Sequence, residues 1–122
     1  MCFVVGHFYS EKEARNYKPK IAETNIVVYK KLIEDDDGTL ISPYRGFKYE
    51  MNELCQIKRF GKKITFHNKL WYLDIHRGLH SYIEKGQSTF YLYSAIVPKG
   101  SLYYSNSREI VSNQLIIKRK CV

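Results

Sequence analysis

TFYLYSAIVPKGSLYYSNSREIVSNQLII, residues 89–117, is the stretch on which the fold turns. From Phe90 to Val97 almost every residue is apolar or aromatic. Phe90, Leu92 and Ile96 fall on one alternating face, and Tyr91, Tyr93 and Val97 on the other. A strand with bulk on both faces belongs inside a sheet covered on both sides. Pro98-Lys99-Gly100 predicts its end, with proline presetting φ at the second position of a turn and glycine at the fourth position of a type I turn. Ser101 to Asn113 is polar and reads as a loop carrying Tyr103, Tyr104 and Arg108. Leu115-Ile116-Ile117 reads as a second buried strand. Two rigid strands holding a polar, aromatic, arginine-bearing loop would present donors and stacking faces to a ligand. The plainer alternative is a hairpin with a long solvated loop.

Outward from that stretch, the pattern stays β-rich. Met1 to Val5 predicts a short strand. Ser10-Glu11-Lys12-Glu13 has the form of a capping box opening a helix to about Tyr17, which Pro19 ends. Asn25 to Ile33 predicts a strand, and Glu34-Asp35-Asp36-Asp37-Gly38 an acidic hairpin turn back into Thr39 to Ile41. Leu54 to Phe60 predicts a strand, Gly61-Lys62 a turn, and Ile64 to Phe66 the next strand. Trp71 to Ile75 fits helix or strand, and Gly78 to Ile83 reads as a turn into a short element beside the central sheet. The expected fold class is α+β: mainly antiparallel sheet with one or two short helices, in one domain covering residues 1–122.

The composition narrows the function. Eleven tyrosines combine stacking faces with hydroxyl groups, and the formal net charge of +8 favours anionic partners. The cations are scattered in short clusters such as Lys30-Lys31, Lys62-Lys63 and Lys118-Arg119-Lys120, none a long basic arm, which argues against a long nucleic acid as partner. Three widely spaced cysteines, Cys2, Cys55 and Cys121, suggest a reduced intracellular protein, and no apolar run is long enough for a membrane helix. Asp74, His76 and His80 have a spacing that a metal could use only on a helix, and Gly78 disfavours that helix. Cys55 lies in a strand pattern and reads as core, and no cofactor is expected. Acid–base chemistry by Glu50, Glu53, His80 and Arg108 is neither demanded nor forbidden. No glycine-rich phosphate loop or RNA-recognition motif is present. In SPYRGFKYE, residues 42–50, an arginine among aromatic rings has the makings of a phosphate contact.

Gly78-Leu79-His80-Ser81-Tyr82, Val97-Pro98-Lys99-Gly100 with Leu102-Tyr103-Tyr104, and Ile110-Val111-Ser112-Asn113 leading into Leu115-Ile116-Ile117 resemble a group of small phage and prophage proteins. Within that group the chain is similar to the first-described Thoeris anti-defence family, over residues 25–118. The resemblance implies a non-enzymatic sponge in the cytoplasm of the bacterial host. Such a protein binds cyclic ADP-ribose isomers made by TIR-domain enzymes and sequesters them uncleaved, so the immune effector lacks its signal. It also implies homo-oligomers, dimers and hexamers built from dimers, and in some members separate sites for cyclic oligonucleotides (di- or trinucleotides). On chemical grounds Arg45 and Arg108 are assigned to the phosphates. Tyr82, Phe47 and Tyr104 are the stacking candidates, and Asn113, Ser112 and His80 the hydrogen-bonding partners of ribose or base. The rival readings are a nucleotide hydrolase or transferase, a nucleic-acid-binding phage protein, and a structural subunit.

Overall fold

The computed structural model describes residues 3–43, 47–86 and 90–121. In chain order the elements are β1 (Phe3–Phe8), α1 (Glu11–Asn16), β2 (Lys20–Ile21), β3 (Ile26–Lys31), β4 (Ile33–Glu34), β5 (Leu40–Ile41), β6 (Lys48–Tyr49), β7 (Leu54–Gln56), β8 (Gly61–His67), β9 (Leu70–Arg77), β10 (Leu79–Tyr82), β11 (Leu92–Val97), β12 (Leu102–Ser105), β13 (Glu109–Ser112) and β14 (Gln114–Lys120). The expected α+β class, mostly antiparallel sheet with a short helix, is the fold observed. The strands form an eight-stranded sheet in the order β2-β12-β13-β10-β3-β11-β14-β7 and two three-stranded sheets, β1-β9-β8 and β4-β5-β6.

β11 lies inside the large sheet, between β3 and β14, as expected, but it is not covered equally on both sides: Tyr93, Ala95 and Val97 enter the core, while Ser94 and Ile96 on the other face are half-buried. Adjacent residues of one strand feed different cores. Ile110 packs with Val28, Leu79, Ala95, Leu115 and Ile117, a cluster that Leu40 and Tyr49 of the β4-β5-β6 sheet close. Its neighbour Val111 points the other way, with Tyr104, into a cluster containing Phe3, Leu73 and Ile75 of the β1-β9-β8 sheet. Each such aliphatic side chain, fully buried, stabilises the fold by about 1.5–3 kcal/mol relative to exposure. The three-stranded β1-β9-β8 sheet thus roofs the β12-β13-β10 part of one face.

Local signals explain most boundaries. Ser10 Oγ accepts the amide of Glu13 at 3.2 Å, capping α1, and Tyr17 leaves the helix in an extended conformation two residues before Pro19. The acidic turn joins β4 to β5, with the Gly38 amide on Asp35 O at 3.0 Å and Gly38 at φ 87°.

Several expectations are corrected. The predicted loop 101–113 is a hairpin, β12 and β13, whose true turn is Asn106 to Arg108. Tyr103, Tyr104 and Ser112 are therefore strand residues. β11 begins at Leu92; Phe90 and Tyr91 precede it and are exposed, because the ends of β3 and β14 leave them no apolar neighbour strand to cover them. The turn after β11 bonds Ser101 N to Pro98 O, so glycine occupies its third position, at φ 90°, where type II geometry calls for it. A Cβ on Gly100 would meet nothing within 4 Å; that position needs glycine for its φ, not for space. β7 stops at Gln56 because its partner β14 starts at Gln114. Gly61 is in β8, not a turn; the β8–β9 hairpin reverses at Asn68-Lys69, both in the left-handed region (φ 50° and 66°), as a two-residue turn between paired strands needs. Trp71 to Ile75 is strand, so Asp74 and His76 do not share a helical face with a later histidine.

Candidate functional site

Sheet register lines up a row of side chains across five strands. Glu109 pairs with Tyr82, Tyr82 with Tyr29, Tyr29 with Ser94, and Ser94 with Arg119. Directly paired residues of antiparallel strands project to the same face. The row therefore runs from Glu109 at one end to Arg119 at the other, and Arg108 stands in the turn just before Glu109. At about 4.8 Å per strand the row spans about 19 Å. Both arginines are exposed, Tyr82 is 40% exposed, and Tyr29 and Ser94 are half-buried. A second row on the same face, Val27, Ile96, Ile116 and Leu54, follows from the same registers and leaves Val27 and Leu54 exposed.

The arginine at the β13 end is held by its turn. Asn106 Oδ1 accepts the amides of Arg108 at 2.9 Å and Glu109 at 2.8 Å, which an asparagine does readily in turns. Arg108 O accepts the amide of Ile83 at 3.0 Å, locking the turn to the residue after Tyr82. Asn106 Nδ2 also donates to Val4 O at 3.4 Å, tying the turn to β1.

Beneath the row, β10 and β3 share a single registered pair, Tyr82 with Tyr29. A buried lysine reinforces the junction. Lys30 Nζ donates to His80 O and sits over the Tyr49 ring, 5.5 Å from its centroid. Burial lowers the Lys30 pKa to about 8, against smaller raising effects from Cys55 and Glu109. Burial in turn pushes the Cys55 thiol up, with Lys30 opposing. Tyr49 is held as a phenol, its pKa raised by burial.

The predicted residues separate into distinct places. Tyr82 lies in the row and Arg108 in the turn beside it, joined by the backbone bond from Ile83 to Arg108 O. His80 is two residues from Tyr82 on the same face, under the edge of the roof, with its ring 6.1 Å from Phe3 in an edge-on contact. Tyr104 is 2% exposed and enclosed by Tyr17 (stacked, 6.1 Å), Phe60 (edge-on, 5.2 Å) and Lys62, whose Nζ lies 5.6 Å from the ring centroid. Ser112 is buried and donates to Gln114 O at 2.9 Å. Asn113 Oδ1 accepts the Leu102 amide at 2.9 Å and fixes the other end of the hairpin. Arg108 and Asn113 bracket β13 and lie about 17 Å apart by strand rise. Phe47 packs, half-buried, on the opposite core. Arg45 lies outside the described residues. Tyr29, Arg119 and Asn106 were missed. Tyr29 sits in a run that reads as core, and the only signal for Asn106 was its turn-prone setting, Ser105-Asn106-Ser107.

No group of metal-ligating side chains is present among the described residues, and no helix among them is long and apolar enough to cross a membrane. Compared with protein-family models, curated proteins and solved structures, the chain matches none.

Proposed function

We propose that this protein binds and sequesters a small cyclic adenine nucleotide, a cyclic ADP-ribose isomer, without cleaving it, and so starves an immune effector of its signal. The observation that carries the reading is the Tyr82–Tyr29 pair of the row with Arg108 in the adjoining turn, its carbonyl bonded to the residue after Tyr82. Two strand spacings, about 10 Å, separate the strand that follows the arginine from Tyr29, the scale of one compact cyclic dinucleotide-like ligand. Tyrosine rings stack a purine at about 1–3 kcal/mol per base, and an arginine fork pairs with a pyrophosphate through charge-assisted hydrogen bonds. Holding a signal present below micromolar levels requires more than about 8 kcal/mol. Enclosure of the exposed face between subunits would supply the remainder and would couple ligand to assembly, since a ligand bound only by the oligomer stabilises it. The sequence resemblance to the Thoeris anti-defence family supports the choice of ligand, the homo-oligomer and the host cytoplasm as its setting.

The test separates a sponge from an enzyme. Protein and cyclic ADP-ribose isomers are mixed, the free ligand is removed, the complex is denatured by heat, and the supernatant is chromatographed. Intact ligand in the supernatant is the expected outcome. A cleaved or transferred product would assign the protein to the hydrolases or transferases instead.

A further inference from the structure

Two of the basic clusters, 87 residues apart in sequence, approach each other in the fold through Lys31 and Lys118–Lys120, and an aromatic pair stands between them. Lys31 ends β3 and pairs with Leu92; Lys120 pairs with Tyr93 and Arg119 with Ser94 at the end of β14, where Lys118 is the extra residue of a bulge. The chain entering β11 passes between these two strand ends. Tyr91 O accepts the Leu32 amide at 2.9 Å on one side, and Leu92 O accepts the Cys121 amide at 2.8 Å on the other. Phe90 and Tyr91 therefore sit on a rim flanked by Lys31, Lys118, Arg119 and Lys120, all exposed. The rings are 77% and 59% exposed, with centroids 6.3 Å apart. Tyr91 also holds φ 57°, a left-handed conformation that is uncommon for a bulky side chain and costs about 1–2 kcal/mol. Glycine would remove that cost, so the ring is kept at a site where the backbone disfavours it. The carboxylate felt at this end of β11 is Glu34, which acts on the Tyr93 hydroxyl.

We infer that this rim is a second binding site, meeting the Tyr82–Tyr29 row only at Arg119, and that it takes a short segment of single-stranded nucleic acid. Flat rings accept unstacked bases of any identity, and cations at strand ends follow the phosphates. A duplex hides its base faces and offers the rings nothing. A membrane surface is the weaker fit, because the two rings are hemmed in by charges and lack the continuous apolar face that interfacial anchoring uses. The scatter of lysines along the sequence argued against a long polymer site, and the rim is short: it neutralises about four phosphates.

The test is fluorescence anisotropy of the full chain with labelled oligothymidylate and oligouridylate of about 12 nucleotides, the matching duplex, and sedimentation with phosphatidylserine vesicles. The single strands should bind, with a log–log salt slope near −3 (about −0.7 per phosphate). Phe90→Ala and Tyr91→Gly should each weaken binding about tenfold. Tyr91→Gly should leave the melting temperature equal or higher, because it relieves the left-handed backbone. Arg108→Ala should leave the oligonucleotide affinity unchanged. The inference is overturned if neither strand binds at low salt, if both ring variants bind as wild type, if the duplex binds as well as the single strand, or if Arg108→Ala weakens the oligonucleotide as much as the ring variants do. Sedimentation with vesicles in the absence of oligonucleotide binding would overturn it in favour of a membrane surface.

Discussion

One face of the eight-stranded sheet carries two kinds of tyrosine. Tyr104, on β12, lies under the β1-β9-β8 roof and is enclosed by Phe60, Tyr17 and Lys62. Tyr82 and Tyr29, on the neighbouring β10 and β3, lie beyond the roof and keep exposed surface. The residue type and the face are the same, yet the roof turns one tyrosine into core and leaves the others for a ligand. Composition counts tyrosines; only strand order says which of them a ligand can reach.

The sharpest way to break this comparison is truncation. Tyr104→Ala should destabilise the fold by about 3–5 kcal/mol, the range for removing a buried aromatic ring. Tyr82→Ala should cost far less, about 1 kcal/mol, because the residue is 40% exposed. Chemical denaturation measures both, and equal losses would erase the distinction between roofed and open halves.

Next in size is the lysine under the β10–β3 junction. In the unfolded chain Lys30 titrates near 10.5; in the fold it titrates near 8. Below pH 8 both states hold the proton and the full burial cost is present. Between 8 and 10.5 the folded chain releases the proton while the unfolded chain keeps it, so this group makes stability rise with pH. The gain is bounded at about 3 kcal/mol and is opposed from about pH 9, where the unfolded chain ionises Cys55, and above pH 10, where it ionises Tyr49, while the fold holds both protons. Urea midpoints should rise between pH 7 and 9 for wild type and should not rise for Lys30→Met. A parallel rise in both would remove Lys30 as the cause.

Arg108→Ala should weaken nucleotide binding by about 1.5–3 kcal/mol while leaving the melting temperature in place, because the turn is held by Asn106 and not by the guanidinium. A fallen melting temperature with unchanged affinity would make Arg108 a structural residue. The smallest effect concerns Gly100. Gly100→Ala should cost about 1 kcal/mol from its positive φ alone, with Gly100→Val somewhat worse, since nothing crowds the added carbon. A loss of several kcal/mol for alanine would contradict the open space there.

Much of the fold could be read from the chain. The two-sided apolar run of β11, the cap at Ser10, the Asp37-Gly38 turn and the buried Leu115 and Ile117 all declare themselves through local chemistry. The polar 101–113 stretch did not, because Asn106, Ser105 and Ser107 look like loop while the hairpin's apolar partners, Val111 and Ile110, serve two different cores. The site was half legible. Tyr82 and Arg108 were found by residue type, but Tyr29 and Arg119 join them only because β10 inserts between β13 and β3 while β11 carries β14 alongside. Lateral neighbours come from strand order, and no periodicity along the chain encodes it. Asn113 and Ser112 drew attention as polar groups, yet their bonds are spent on the backbone at the far end of the hairpin.

The measurement that bears most directly on the exposed row is calorimetric titration of wild type, Tyr82→Ala and Tyr29→Ala with cyclic ADP-ribose isomers. Wild type should bind at least one isomer with a Kd below about 1 µM, and each variant should lose about tenfold or more while remaining folded at the titration temperature. No heat with any isomer, or variants that bind as tightly as wild type, would contradict the account.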